Sequence, residues 1–244
     1  MPDPAAPAPP EAIVAFEQPD GTLIARWLCT PERLEDLALG WLFCEGLVER
    51  SDEVHELHLT PAGHVRARLG EAARERLAAF ERDCGPGPAR ALRHPVRGAV
   101  PLRPDEGTRA LLADPGRLGD LFAELFDGAR LKSIHGGGLH TGGRVAGGRI
   151  VDIAEDVSRS AVVDKLVGAA KRQARPGDPA TDGTMFLLSG RISATIAAKL
   201  ARAGVAAAAT ISLPTSLAVD IAERTGLAIV GRARRESPFR YGAG

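Results

Sequence analysis

The sequence predicts an α/β protein, α+β overall, in which a small N-terminal α+β module precedes a C-terminal three-layer α/β domain. Three observations carry that expectation. Residues 11–83 mix short apolar runs, turn signals and helical repeats; residues 84–106 are dense in Pro, Gly and Arg; and residues 107–244 alternate strands with helices. Such alternation argues for a largely parallel sheet covered by helices.

The elements follow in order. Residues 1–10, MPDPAAPAPP, are a Pro/Ala-rich leader expected to be disordered. Ile13–Phe16 and Thr22–Leu28 flank Pro19-Asp20-Gly21, which reads as strand, tight turn and strand. Thr30-Pro31 opens a helix, with Thr30 as N-cap and Pro31 at its first position. Leu34, Leu37, Ala38, Trp41, Leu42 and Glu45 continue at helical spacing until Gly46 stops it. A second hairpin is expected over Val54–Leu59 and His64–Leu69, then a helix over Ala72–Arg82. The 84–106 stretch cannot hold a regular element and reads as an exposed linker. Beyond it come a helix at Arg117–Asp127, a Gly-rich loop at His135–Gly148 and a strand at Arg149–Ile153. Helices at Ser160–Arg172, Ser193–Arg202 and Leu217–Arg224 then alternate with strands at Thr184–Leu188, Ala206–Ile211 and Leu227–Val230.

Composition narrows the function. The 244 residues carry 31 basic and 31 acidic side chains, net +0, which removes the electrostatic case for a nucleic-acid partner. No apolar run approaches the roughly 20 residues that span a bilayer, and the N-terminus lacks the features of a signal peptide. Three cysteines are too few and too odd for a secreted disulfide framework, so a cytoplasmic protein is expected. Of the 31 basic residues 27 are Arg, and Ala occurs 41 times, so the interior should rely on close packing of small residues.

Several residues could carry chemistry. Cys84 lies between Asp83 and a Gly-Pro-Gly-Pro run, where a thiol could be accessible and reactive or simply a surface cysteine; Cys29 and Cys44 read as small core residues. His135-Gly-Gly-Gly-Leu-His140 has only a loose metal-ligand spacing with no Cys-x-x-Cys or acidic partner, and its glycines suit either a backbone cradling a phosphate or bulky cofactor or simply a turn. Asp156 and Arg159, then Arg191 and Ser193, then Thr215 and Ser216, each follow a strand and open a helix. Their convergence suggests one rim holding an anionic ligand, although each alone also reads as a helix start.

The order of these motifs resembles the formate dehydrogenase accessory sulfurtransferase family, FdhD/NarQ, from about Ile13 to Tyr241. Ala38-Leu39-Gly40-Trp41 with Glu45-Gly46-Leu47, Glu155-Asp156-Val157 with Arg159 and Asp164-Lys165, Ser189-Gly190-Arg191-Ile192-Ser193 and Thr215–Ala222 stand as its ordered blocks. The resemblance implies a cytidine-deaminase-like C-terminal fold. It also implies a persulfide on Cys84, received from a cysteine desulfurase and passed to the molybdenum or tungsten of a bis(molybdopterin guanine dinucleotide) cofactor destined for formate dehydrogenase. The guanine dinucleotide contact would fall on Val230-Gly231-Arg232-Ala233-Arg234-Arg235, with Arg191, Ser193, Asp156, Arg159, Thr215 and His140 completing the site. A symmetric homodimer is compatible with the resemblance. The sequence departs from the family pattern at Gly87, where a second loop cysteine is usual, and at Ala154, Ser158, Ser160 and Ala161, which replace His, Gly, His and Asn. The alternative expectation is a binding protein for the same cofactor without sulfur transfer.

Overall fold

The computed structural model describes residues 7–83, 102–174 and 180–242. Cys84 and Gly87 lie outside the described residues. The N-terminal part contains β1 (Ala12–Glu17), β2 (Leu23–Cys29), α1 (Leu34–Cys44), β3 (Val54–Leu59), β4 (Val65–Leu69) and α2 (Glu71–Asp83). From residue 102 onward come α3 (Glu106–Ala113), α4 (Pro115–Asp127) and α5 (Arg130–His135). β5 (His140–Ala146), β6 (Arg149–Asp156), α6 (Arg159–Gln173), β7 (Met185–Leu188) and α7 (Ala194–Arg202) follow. The described chain closes with β8 (Ala207–Thr210), α8 (Ser216–Thr225), β9 (Ala228–Gly231) and β10 (Phe239–Tyr241).

Two sheets result, ordered β2-β1-β4-β3 and β10-β9-β8-β7-β5-β6. The larger is mixed. Within it β7, β8 and β9 run parallel to one another, while β5 pairs antiparallel with both β6 and β7, and β10 pairs antiparallel with β9. This corrects the largely parallel sheet expected from the sequence. Two hairpin-type pairings flank a core of only three parallel strands.

Side-chain alternation along the central strands builds the layers. Phe186, Leu188, Ala208 and Ile229 enter a core shared with α6, α7, α8 and the N-terminal sheet. Met185, Leu187, Ala207, Ala209, Ala228 and Val230 enter a second core with Leu118, Leu121, Phe122 and Leu125 of α4. Helices thus cover both faces of the six-stranded sheet.

Helix α1 is buried on nearly every side, between the four-stranded sheet and α6. Its contact with α6 is backbone against backbone: a Cβ on Gly40 would fall 1.7 Å from Asp164 O, and one on Gly168 1.8 Å from Asp36 O. The start of α1 differs from the expected Thr30 cap. Arg33 takes the N-cap position in the left-handed region at φ 55, and its guanidinium bonds Asp36 (2.9 Å), Asp152 (2.9 and 3.1 Å) and Ile153 O (2.7 Å). Thr30 is drawn into the join between modules instead, where its hydroxyl accepts from Val157 N.

The Gly-rich run read as a loop holds β5, and its first residue, His135, closes α5. A Cβ at Gly142 would stand 2.6 Å from Val162 Cγ1, so glycine there lets α6 press onto the strand. The end of the leader is also placed: Pro7 O bonds His135 Nδ1 at 2.8 Å, and Pro9 lies over Gly138.

Candidate functional site

The topology sets one edge of the large sheet. β5 runs opposite to β6 and β7, so His140 at the start of β5 pairs with Asp156 at the end of β6, and Gly142 pairs with Leu188 at the end of β7. From that edge α6 and α7 begin, each capped by a serine: Ser158 Oγ accepts from Ala161 N and Ser193 Oγ from Ile196 N. Facing them is the N-terminal sheet. A cavity of about 740 Å³ lies between, lined on one side by Arg26, Trp27, Trp41 and Phe80 and on the other by His140, Arg159, Ser160, Ser193 and Thr195.

The aromatic wall is fixed by its own packing. Phe16 stacks on Trp27 at 5.4 Å, and Trp41 meets Phe16, Trp27 and Phe80 edge-on at 6.2, 5.9 and 6.2 Å. Such edge-to-face contacts hold ring orientation as well as burying area.

Beneath the opposite wall lie two buried ion clusters on consecutive residues of α6. Lys165 Nζ is 2.6 Å from Asp156 and also donates to Thr30 O and Glu155 O. Lys199 Nζ bonds both oxygens of Asp164 (2.8 and 2.9 Å) and Glu45 (2.9 Å). Burial pushes the Asp164 carboxyl up against the pull of Lys199, while the two carboxylates hold the Lys199 ammonium above its ordinary range. The Cys44 thiol beside Asp164 is pushed well up by burial and that charge. Only four lysines occur in the chain, and two are these buried ones. A compact ammonium can donate to carboxylates and carbonyls in a space that would not take a guanidinium fork.

Asp156 is therefore not a rim residue. It is fully buried, bound to Lys165, and accepts from Thr30 N and Ser158 N. Glu155 likewise turns inward, its carboxylate accepting from Leu131 N and Lys132 N. Sequence position put both at the strand end; register turned Asp156 toward Thr30 of the N-terminal part and Glu155 onto the start of α5.

The remaining predicted residues divide between two places rather than forming one rim. His140, Arg159 and Ser193 line the inter-module cavity, and a small recess off it brings His140 and Arg159 beside Arg191. Arg159 lacks an ion-pair partner among the described residues, and its charge together with burial lowers the His140 pKa. Thr215 lines neither cavity; its N–H donates to Ile192 O at 3.0 Å where the β7 and β8 ends meet. The second place is the turn after β9. Arg232 sits at φ 50 and donates its N–H to Ser212 O, while Ala233 N donates to Thr210 O. Val230, Gly231 and Ala233 are buried, so only their backbone is available, whereas Arg234 and Arg235 are exposed. Arg232, Arg234 and Arg235 ring a cavity of about 340 Å³ with Ser212 and Leu213.

The sequence reading did not name Thr141, Ser160, Thr195 or the aromatic wall as site residues. The signal available was a repeated Ser-x-Ser/Thr at two helix starts, Ser158-Arg-Ser160 and Ser193-Ala-Thr195.

The profile of the FdhD/NarQ family matches residues 11–242. The chain belongs to this family. A sulfur carrier protein FdhD from Chromobacterium violaceum is 34% identical over 233 residues, spanning 92% of this chain and 84% of the relative. One from Anaeromyxobacter dehalogenans is 32% identical over 256 residues, spanning 95% and 87%. The fold matches, at TM-score 0.73 and 21% identity, the crystal structure of a Desulfotalea psychrophila protein described as a formate dehydrogenase accessory protein, over 96% of this chain and 87% of that one. The mixed two-sheet α+β architecture is thus that of an FdhD/NarQ protein. Among the described residues no helix is long and apolar enough to cross a membrane.

Proposed function

We propose that this FdhD/NarQ protein is a sulfur carrier required for formate dehydrogenase, with Cys84 as the thiol that holds the sulfur. In that role the Cys84 thiolate attacks the outer sulfur of a cysteine desulfurase persulfide. The donor leaves as its thiolate, and Cys84 keeps the outer sulfur as a persulfide. The cargo is the molybdenum or tungsten bis(molybdopterin guanine dinucleotide) cofactor, which receives that sulfur.

The reading is supported by elimination among thiols. Cys29 and Cys44 are sealed in the core, and burial pushes the Cys29 thiol up to about 11 and Cys44 well above its ordinary value. Neither forms thiolate at neutral pH or reaches a partner protein. Cys84 is the remaining cysteine. The basic turn fits the nucleotide end of the cofactor: three guanidiniums around an open 340 Å³ cavity offer planar forks to phosphate oxygens.

The test is intact-protein mass after incubation with a cysteine desulfurase and cysteine, for the native chain and Cys84→Ala. A reductant-sensitive gain of one sulfur, absent from the variant, is the expected outcome. No gain on the native chain would overturn sulfur transfer and favour the alternative of a cofactor-binding protein, the role that Gly87 in place of a second cysteine would leave.

A further inference from the structure

The carboxyl ends of β8 and β9 share one edge of the large sheet, because the two strands pair in parallel. Three elements bring apolar side chains to that edge. Ile211 directly follows the last residue of β8, Leu217 lies in the first turn of α8, and Phe239 opens β10, where it pairs with Gly231 at the end of β9. They are 37%, 44% and 47% exposed. Large apolar groups gathered in the open at one place mark a surface that another molecule covers.

The loop between β8 and α8 gives this edge a fixed base. A Cβ on Gly231 would lie 3.2 Å from Leu213 Cδ2, 3.3 Å from Pro214 Cδ and 3.3 Å from Tyr241 Cε2, so the glycine lets the loop close onto β9 and β10. Thr215 N–H donates to Ile192 O and Arg232 N–H to Ser212 O, which ties the loop down on both sides.

Charge is one-sided here. Residues 230–241 hold Arg232, Arg234, Arg235 and Arg240 against Glu236, and none of these arginines has an ion-pair partner among the described residues. Asp220, one turn beyond Leu217, is the next exposed acid along α8.

We propose that this edge is the docking surface for the client enzyme, formate dehydrogenase, which meets it with an apolar patch bordered by acidic side chains. The inference rests on the reading above that the basic turn holds the nucleotide end of the cofactor. A cofactor held there leaves through the open mouth of the 340 Å³ cavity, so its acceptor has to come up against that mouth. Ile211 belongs to the cavity wall, and Phe239 pairs with the residue just before Arg232, so apolar surface and cavity are continuous. Protein interfaces combine an apolar centre with aromatic and Arg side chains, and unpaired arginines speed encounter with an acidic partner.

Biolayer interferometry of the full chain against a purified, cofactor-free formate dehydrogenase catalytic subunit tests the surface, and calorimetry with guanosine diphosphate tests the cavity separately. Leu217 and Phe239 lie outside the cavity lining. Leu217→Asp/Phe239→Asp should therefore bind guanosine diphosphate as the native chain does, while its affinity for the client falls about tenfold or more. Leu217→Ser/Phe239→Ser should lose less, and decides the matter if the aspartate pair does not fold by circular dichroism. Client affinity of the native chain should also drop as sodium chloride is added. A native chain that does not bind the client, or folded variants that bind it as the native chain does, would overturn the docking surface. So would variants whose sedimentation shows a changed oligomeric state, which would assign the face to a second copy of the chain. Client binding that depends on Leu217 and Phe239, with no binding of guanosine diphosphate, would overturn the reading of the turn alone.

Discussion

Behind the inter-module cavity, Lys199 is held by Asp164 and Glu45 and Lys165 by Asp156, all out of water. At the turn after β9, Arg234 and Arg235 stand exposed with no ion-pair partner among the described residues. The two regions use their charges oppositely. Behind the cavity, charge joins α1, α6 and α7 into one body; at the turn it is left available to a ligand. The difference teaches that burial decides what a charged residue does. A paired interior charge is hard to remove without damage to the fold, and an unpaired surface charge is easy to remove without it.

The largest effect should come from Lys199→Met. It strands two buried carboxylates, and breaking such a cluster costs about 3–5 kcal/mol of unfolding free energy. Urea denaturation measures it; a loss below about 1 kcal/mol would mean the carboxylates are relieved by taking up protons. Gly168→Ala comes next. Its Cβ would strike the Asp36 carbonyl, and forcing α1 from α6 should destabilise by about 1–3 kcal/mol, visible in the same denaturation curves.

At the turn the expectation reverses. Arg234→Ala/Arg235→Ala should change unfolding free energy by no more than about 0.5 kcal/mol. Calorimetry with guanosine diphosphate should nevertheless show affinity reduced about tenfold or more, as lost charge-assisted phosphate contacts require. If stability fell instead, the turn would be part of the scaffold and the contrast between the regions would fail.

The smallest effect belongs to His140, at the edge between scaffold and cavity. Burial, then the Arg159 charge, lowers its pKa below the ordinary 6.5. As pH falls through 6.5 the unfolded chain takes up a proton that the folded chain resists, so His140 removes stability on the acidic side. His140→Gln should therefore narrow the drop in melting temperature between pH 7 and pH 5. An unchanged drop would show that other groups govern it.

Element placement was largely legible in the sequence because it depends on local periodicity. Both N-terminal hairpins and the helices at α2, α4, α6, α7 and α8 fall where spacing and turn residues put them, within a few residues. The misses share one cause: residue types with two uses. Glycines at 142 and 143 read as a loop, yet they form the centre of β5, because α6 and Leu125 occupy the space their side chains would need. Thr30 reads as a cap, yet long-range bonds to Val157 and Asp156 claim it, and Arg33 caps α1 in its place.

The site divides in the same way. The sequence by itself determined that helices begin near Ser160 and Ser193 after strands, and that a run of arginines follows the last long strand. Those are relations between neighbours along the chain. Only the tertiary structure decided that Asp156 faces inward while Arg159, three residues later, faces a cavity. It also decided that α6 and α7 open toward Trp27 and Trp41, more than a hundred positions earlier, and that Thr215 stands apart from the cavity that Arg159 and Ser193 line. The physical reason is that pairing partners such as Thr30 for Asp156, or Glu45 for Lys199, are distant in sequence. Their desolvation and charge are settled only when the strands take their register and the helices their crossing.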